Sequence, residues 1–264
     1  MIIKDINITK EDNSKIQLNN NTSESLRLGV LLAIVGGCLD AYTFICRGGV
    51  FANAQTGNIV LVGIEATKGN FVQASMAFLP ILAFIFGIIV TEKIKDFNFP
   101  SSTSVAYSER IILLIEIIVL FIIGFIPNTI PHAFVTIPIS FVSSVQIASF
   151  GKLIDSPYST TMCTGNLRSA SQSAYKAFVK KDSNAAIKTG RYVIVILSFI
   201  AGSCFAGILT SQFGIKSIWF AVIVLILSLG LFNIDEYIFK HNQKKWKYTL
   251  ENIYYIKKKT ILNK

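Results

Sequence analysis

The sequence predicts an all-α membrane protein, a polytopic bundle of about six spanning helices with two broken, re-entrant half-helices and an internal 3+3 inverted repeat. Three observations predict this class. Hydrophobic residues make up 52% of the 264 residues and charged residues only 15%, whereas soluble domains carry about 25% charged residues. Six apolar stretches approach the roughly 20 residues that a spanning helix needs. Finally, two short motifs recur in the same order in both halves of the chain.

Six stretches with at most one charged residue each are the predicted spans. They are Leu28–Cys46, Gly69–Thr91, Ile111–Ile126, Ala133–Gly151, Tyr192–Ile215 and Ser217–Ile234. Pro127 and Pro131 predict a tight reversal between the third and fourth spans.

Two further stretches, Gly48–Ala66 and Ser156–Val179, are apolar or rich in small residues but are broken by Gly, Asn, Thr or Pro. The helix predicted after Asn58 has about nine residues, or half a bilayer at 1.5 Å per residue. Irregular backbone at that depth must be buried in protein or line a cavity. Both stretches are therefore predicted to be re-entrant, although two additional spans are the alternative.

The repeat is carried by two motifs in register. Thr56-Gly57-Asn58 matches Thr164-Gly165-Asn166 at an offset of 108, and ILAFIFG (81–87) matches ILSFIAG (196–202) in five of seven positions at an offset of 115. The predicted organisation is a polar segment 1–25, a membrane domain 26–234 with repeats 26–127 and 131–234, and a basic tail 235–264.

Positive charges predict the orientation. With re-entrant segments, 21 basic residues fall on the cytoplasmic side and three outside; with spanning segments the counts are 18 and six. Because Lys and Arg are enriched in cytoplasmic loops, the first arrangement is favoured, with both termini cytoplasmic. The first 25 residues contain no apolar leader, so the first span is expected to act as its own insertion signal.

Two of these stretches resemble a known family. GGCLDAYTFICRGGVFANAQTGNIVLVGI (36–64) and STTMCTGNLRSA (159–170) closely resemble the YoaK family of bacterial membrane proteins, catalogued as a domain of unknown function. The resemblance covers roughly residues 26–234 and implies a multi-pass membrane protein without an established activity. Many members carry Gln-Asn-Ala where this chain has Gln146-Ile147-Ala148, so the asparagine that would mirror Asp40 is missing.

The two Thr-Gly-Asn tips are the predicted substrate site. Thr and Asn are good N-cap residues and Gly permits a sharp turn, so two half-helix N-termini would direct N–H groups toward an anionic group. The alternative is tight packing by small and hydroxyl residues. The candidate residues, with Arg168 as a further contact to Asp40 or to an anion, are Asn53, Gln55, Thr56, Gly57, Asn58, Thr160, Thr161, Thr164, Gly165, Asn166 and Arg168.

Asp40 is the candidate for ion coupling, because a carboxylate within a span is costly and normally faces the bundle interior with a partner. The alternative is that Asp40 makes a structural ion pair or hydrogen bond that fixes a kink at Gly36-Gly37. Glu116 is expected to bond to Ser140, Ser143 or Gln146 in a structural role, and Arg47 and Glu65 are expected to be solvated at segment ends.

The chain lacks the motifs of ATP-binding loops, zinc proteases, hydrolases and dinucleotide-binding enzymes. The four cysteines show no CxxC spacing and read as core residues. No enzyme activity, cofactor or metal is therefore predicted.

Residues 240–264 hold eight lysines against one glutamate, which predicts binding to anionic lipids rather than to nucleic acid.

These features predict a secondary transporter of a small solute, an anion among the candidates, that works by alternating access. The alternative is a non-transporting membrane scaffold or assembly partner that uses the same small-residue packing.

Overall fold

The computed structural model describes residues 25–96, 102–153, 156–161, 163–234 and 237. The chain divides into two units, of which one is Ser23–Leu229 and the other combines Met1–Thr22 with Gly230–Lys264. Of the second unit, only the end of the last helix and residue 237 are described. Nearly all of the predicted polar segment and basic tail thus lie outside the described residues, and the predicted domain boundaries stay a prediction.

Four helices form the first half of the chain. They are α1 Leu26–Cys46, α2 Gln55–Thr67, α3 Phe71–Asp96 and α4 Ser102–Ile123. Ser25 begins α1 because its side chain accepts a hydrogen bond from Leu28 N at 3.3 Å, which satisfies one of the free N–H groups of the first turn. Gly48 follows α1 with φ 89°, and Gly69 follows α2 with φ 74°. Glycine adopts this left-handed backbone without steric cost, so both helices end there.

Four helices also form the second half. They are α5 Ala133–Ser149, α6 Cys163–Val179, α7 Ser183–Phe213 and α8, residues 219–234. A 3-10 turn, Gly214–Ile218, joins α7 to α8. Between α5 and α6, the two-residue strands β1 Lys152–Leu153 and β2 Ser156–Pro157 pair antiparallel. Apart from this short pairing, the regular structure of the described residues is helical, which confirms the all-helical class.

The six predicted spans correspond to α1, α3, α4, α5, α7 and α8, and the two broken stretches contain α2 and α6. Three helical stretches of the described chain are long and apolar enough to cross a membrane: Leu26–Cys46, Phe71–Asp96 and the continuous α7–α8 stretch Ser183–Ile234. The apolar helix α5 is shorter, with 17 residues. The number of spans therefore stays a prediction.

Large apolar side chains are exposed on the outer faces of α3, α4 and α7. Examples are Phe86, Ile89, Ile118, Phe121 and Leu197, all at least half exposed. Soluble proteins rarely expose contiguous apolar surface of this extent. The outer surface is therefore that of a protein embedded in lipid.

Hydrogen bonds at the helix ends define the direction of each helix in the first half. Gln73 Nε2 donates to Gly48 O at 2.7 Å, so α3 begins beside the end of α1. Lys95 Nζ donates to Ala148 O at 2.9 Å, so α3 and α5 end together. Since α4 leads from the far end of α3 to the start of α5, α1 and α4 run in one direction and α3 and α5 in the other.

The second half continues this alternation. Trp219 Nε1 donates to Phe121 O at 3.2 Å, so α8 begins beside the end of α4. Because α7 leads into that point, α7 runs in the direction of α1 and α4, and α8 runs opposite to them.

The principal helix pairs combine the two halves, since α1 packs along α7 and α3 along α5. A Cβ atom on Gly87 of α3 would collide with Phe141 O of α5, and a Cβ on Gly202 of α7 would collide with Ile34 O of α1. These glycines occupy the same position in the repeated ILxFIxG motif. Because α6 packs on α7 and α2 on α3, the helices form two groups: bundle I (α1, α6, α7) and bundle II (α2, α3, α5).

Candidate functional site

Asp40 holds the first broken segment against the middle of α1. Its Oδ1 accepts hydrogen bonds from Asn53 N at 2.7 Å and Ala54 N at 3.4 Å, and Asn53 Nδ2 donates to Gly36 O at 3.3 Å. Gly36 precedes the last residue of α1, Cys46, by about 15 Å of helix. The first tip, which we define as residues 51–58, therefore lies deep within the helix bundle.

The path of this segment is a hairpin. The chain leaves α1 at Gly48, reaches the level of Gly36 and begins α2 there. It then returns to Gln73, whose side chain is bonded to Gly48 O. Segment 47–70 thus enters and leaves the bundle on the same side.

An asparagine clamps each tip in the same way. Asn58 Oδ1 accepts from Phe51 N at 2.9 Å, and Asn58 Nδ2 donates to Phe51 O at 2.7 Å. Asn166 makes the same two bonds to Ser159, at 3.1 and 2.6 Å. A side-chain amide is suited to this role because it carries a donor and an acceptor side by side. The two clamps are 108 residues apart, the offset between the tripeptides.

The second tip, which we define as residues 159–161 and 163–166, reaches the same part of α1. A Cβ on Gly36 would lie 2.5 Å from Thr161 Cγ2 and 3.2 Å from Thr160 O. The carboxylate of Asp40 also interacts electrostatically with the thiol of Cys163, the first residue of α6. Both tips therefore meet beside the single helical turn from Gly36 to Asp40.

Four buried polar atoms at this meeting point have no hydrogen-bond partner among the described residues. They are Asp40 Oδ2, Asn53 Oδ1, Thr160 Oγ1 and Thr161 Oγ1. Their side chains are between 0 and 5% exposed. Leaving one such group unsatisfied costs about 1–3 kcal/mol. Because buried polar groups are normally hydrogen-bonded, these four make the meeting point of the two tips the candidate site.

The other predicted substrate residues are distributed between the interior and the surface. Gln55 is buried and its Nε2 donates to Ser140 Oγ of α5 at 3.0 Å and to Ala52 O at 2.8 Å. Thr56 is exposed and Gly57 is half-buried on the outer side of α2. The equivalent residues of α6, Thr164 and Gly165, are both exposed.

Arg168 is exposed on α6, and the hydrogen bonds that Asp40 accepts come from backbone N–H groups instead. The expectation that Thr and Asn of the first tip are N-caps is wrong: α2 begins at Gln55, and Ala54 precedes it without a side-chain cap. Asp40 instead accepts from the backbone N–H groups of Asn53 and Ala54, just before α2, so these N–H groups of the first tip are already occupied.

Arg47 was expected to be solvated, and this expectation is wrong, because the residue is 0% exposed. Its Nε donates to Tyr42 OH at 2.9 Å, Nη2 to Ile126 O at 2.7 Å and Nη1 to Asn128 Oδ1 at 3.1 Å. Arg47 thus joins the end of α1 to the α4–α5 loop. The position of Arg47 at a segment end gave no indication of acceptors about 80 residues away.

Two other carboxylates lie in contrasting surroundings. Glu116 of α4 is 0% exposed, and neither of its carboxylate oxygens has a hydrogen-bond partner, although Gln146 of α5 interacts with it. Glu65, expected to be solvated, is half-buried in the last turn of α2, where a hydrogen bond from Lys68 Nζ at 2.8 Å lowers its pKa. Glu116 is therefore one of three buried carboxylates of the described chain, with Asp40 and Glu109.

Comparison with known proteins adds a family but no activity. A model of the family described as "Protein of unknown function (DUF1275)" matches residues 28–231. The "UPF0700 transmembrane protein YoaK" of Bacillus subtilis (strain 168) is 24% identical over 204 residues, which cover 74% of this chain and 88% of that protein. No solved structure matches the chain.

Proposed function

Since the chain belongs to the DUF1275 family and is a membrane protein, we propose its activity from its own geometry: it is a secondary transporter of a small solute that works by alternating access. The observation that carries the proposal is the meeting of both broken segments beside Gly36 and Asp40, with four buried polar atoms free for a ligand. Secondary transporters bind substrate and coupling ion where broken helices meet near the middle of the membrane.

The helix directions support an inverted repeat. α1 runs opposite to α5, α3 opposite to α7, and α4 opposite to α8, and each pair occupies equivalent positions in the two halves. The hairpin path of segment 47–70 supports a re-entrant first tip, and the matched asparagine clamps support the equivalence of the two tips. Three crossings per half would then place the halves in opposite orientations in the bilayer, a common architecture of secondary transporters.

The two bundles are suited to rocking. Exchanging the halves converts bundle I into bundle II, because α1, α6 and α7 are equivalent to α5, α2 and α3. Close glycine packing holds α1 to α7 and α3 to α5. The first tip packs with bundle II through Gln55 and Ser140, whereas Asn53 bonds to Asp40 of bundle I. The bond between Asn53 and Asp40 therefore crosses the interface at which the bundles would move.

The groups at the two tips limit the class of solute. Because Asp40 occupies N–H groups of the first tip, an anionic solute would have to use the second tip and Arg168. The amide and hydroxyl groups of Asn53 and Thr161 suit a polar solute of either charge. We place the protein in the bacterial inner membrane with cytoplasmic termini, on the distribution of its basic residues.

An uptake screen tests the proposal. The full chain, reconstituted in liposomes, would be exposed to a mixture of small metabolites under an inward sodium or proton gradient, and the lumen would be analysed by mass spectrometry. We expect at least one solute to accumulate with the wild-type protein and with the surface variant Glu65→Gln. In Asp40→Asn, accumulation should fall at least tenfold.

The proposal fails if correctly folded wild-type protein enriches no solute above protein-free liposomes. Co-purification of one membrane partner in a fixed ratio would then favour the scaffold.

A further inference from the structure

The unpartnered oxygens around Asp40 suit a bound cation. This inference rests on the proposed function, for which the cation would be the coupling ion. We propose that one Na+ ion binds between the two helix bundles. Its protein ligands are Asp40 Oδ2, Asn53 Oδ1, Thr160 Oγ1 and Thr161 Oγ1.

The four ligand residues lie around Gly36 of α1. Asp40 follows Gly36 by four residues and so lies on the same face of α1. Asn53 is bonded to both of these residues, through its backbone N–H to Asp40 and through its side chain to Gly36 O. Thr161 lies against Gly36 from the other tip. The four residues therefore lie at one turn of α1, where Thr160 is placed by its backbone oxygen and Thr161 by its side chain.

The chemistry of the cluster favours a hard cation. All four unpartnered atoms are oxygens, the ligands that hard cations prefer over nitrogen and sulfur. Oxygens that bind such a cation at about 2.3–2.6 Å lie roughly 3.4 Å or more apart, at the limit of hydrogen bonding. A preformed cation site consequently consists of neighbouring buried oxygens that are not bonded to one another, and the four oxygens of these residues are buried and make no hydrogen bonds.

Charge selects a monovalent ion. Asp40 contributes one negative charge, and no group of three or more His, Cys, Asp or Glu side chains that could hold a metal ion occurs in the described part of the chain. A monovalent cation makes the site neutral, whereas a divalent cation would leave a positive charge buried, which is costly. A proton would also neutralise Asp40, but a single O–H group cannot engage all four oxygens.

The ligands connect the ion to motion. Asp40 lies on α1, and Thr160 and Thr161 lead into α6, so these ligands belong to bundle I. Asn53 belongs to the tip of bundle II. Because all ligands can surround the ion only when the bundles are together at this point, Na+ binds that arrangement more tightly and shifts the population toward it.

Binding of ²²Na+ to the purified full chain in detergent tests the site directly. We expect saturable binding of one ion per chain, with weak competition by K+. Asp40→Asn should abolish the binding, although its amide oxygen can still accept the bonds from Asn53 N and Ala54 N. Thr161→Val, which keeps the shape and removes the hydroxyl group, should weaken binding at least tenfold. Glu116→Gln, a change at a buried carboxylate on another helix, should bind like the wild type.

The inference is overturned if folded wild-type protein shows no saturable binding or if Asp40→Asn binds Na+ normally. Should Asp40→Asn not fold, wild-type affinity in Thr161→Val overturns it instead. Sodium binding without any uptake would support the ion site and remove the proposed transport. Uptake driven by protons, without sodium binding, would overturn the ion site and leave transport standing.

Discussion

The two carboxylate oxygens of Asp40 lie in different surroundings. Oδ1 accepts the bonds that hold the first tip, and Oδ2 has no hydrogen-bond partner among the described residues. An alanine at this position would release the first tip as well as remove the charge. An asparagine separates the two roles, because its amide oxygen keeps the bonds to the tip while the charge is lost.

The asparagine clamps should stabilise the tips by themselves. Asn166→Ala removes two hydrogen bonds and leaves the backbone of Ser159 unsatisfied, so we expect a loss of about 2–4 kcal/mol. Thr164→Ala, an exposed change in the same turn, should lie within about 0.5 kcal/mol of the wild type. Denaturant unfolding in detergent measures both variants, and similar losses in the two would contradict the clamp.

Glu116 should tolerate neutralisation. No cationic side chain pairs with it among the described residues, and burying an unpaired charge is costly. We expect Glu116→Gln to unfold at the wild-type temperature or above, whereas Glu116→Ala, which leaves Gln146 without its neighbour, should lose about 1–3 kcal/mol. A destabilised glutamine variant would instead reveal a cation bound to Glu116.

At the residue scale, the polar residues of the candidate site could be predicted from the sequence, but their hydrogen-bond partners could not. Asp40, Asn53, Asn58 and Asn166 were predicted because a polar residue within an apolar segment needs a reason. The roles of the two clamping asparagines were not predictable. Each asparagine bonds to the backbone of a residue seven positions earlier, and the two come together only when the tip has folded. The burial of Arg47 depends on a loop still farther along the chain.

At the scale of elements, hydropathy marks the apolar core of a helix and not its ends. The span predicted for 192–215 belongs to α7, which begins nine residues earlier, at Ser183. Asp182 starts that helix by accepting hydrogen bonds from Asn184 N and Ala185 N, and its first two turns are polar. The repeated glycine motif was predicted from sequence, whereas the pairing of each motif with a helix of the other half required the structure.

The glycines of these pairs should be irreplaceable. Gly202→Ala drives a methyl group into the backbone of Ile34, and overpacking of this kind costs about 1–3 kcal/mol. Gly207→Ala, in the same helix with no atom within 4 Å of the added group, should be neutral or stabilise by up to about 1 kcal/mol. Melting temperatures in detergent compare the two, and equal shifts would refute close packing of α7 on α1.

At the scale of the whole molecule, the decisive property is the side of the membrane on which each hairpin turn lies. With the proposed cytoplasmic N-terminus, a re-entrant α2 would leave the turn at Lys68 outside the cell, whereas a spanning α2 would bring it into the cytoplasm. The turn at Lys180, between α6 and α7, would be cytoplasmic in either arrangement. The helix directions within the bundle agree with the re-entrant path.

Thiol labelling of intact cells tests this topology. In a background without native cysteines, Lys68→Cys should react with a membrane-impermeant reagent, and Lys180→Cys should react only after lysis. Both positions are exposed, so burial does not account for protection. Protection of both Lys68→Cys and Lys180→Cys in intact cells would make α2 a span and the repeats parallel.

The exchange of helices between the halves also determines the order in which contacts can form during synthesis. Asp40 receives its partner Asn53 only 13 residues later, within a few seconds at 5–20 residues per second. Gly37, by contrast, receives its hydrogen-bond donor Ser203 after 166 residues, a delay of roughly 10–30 s. The first half can therefore form the bonds to Asp40 Oδ1 while it is still being synthesised, whereas Gly37 O lacks its donor until α7 emerges from the ribosome.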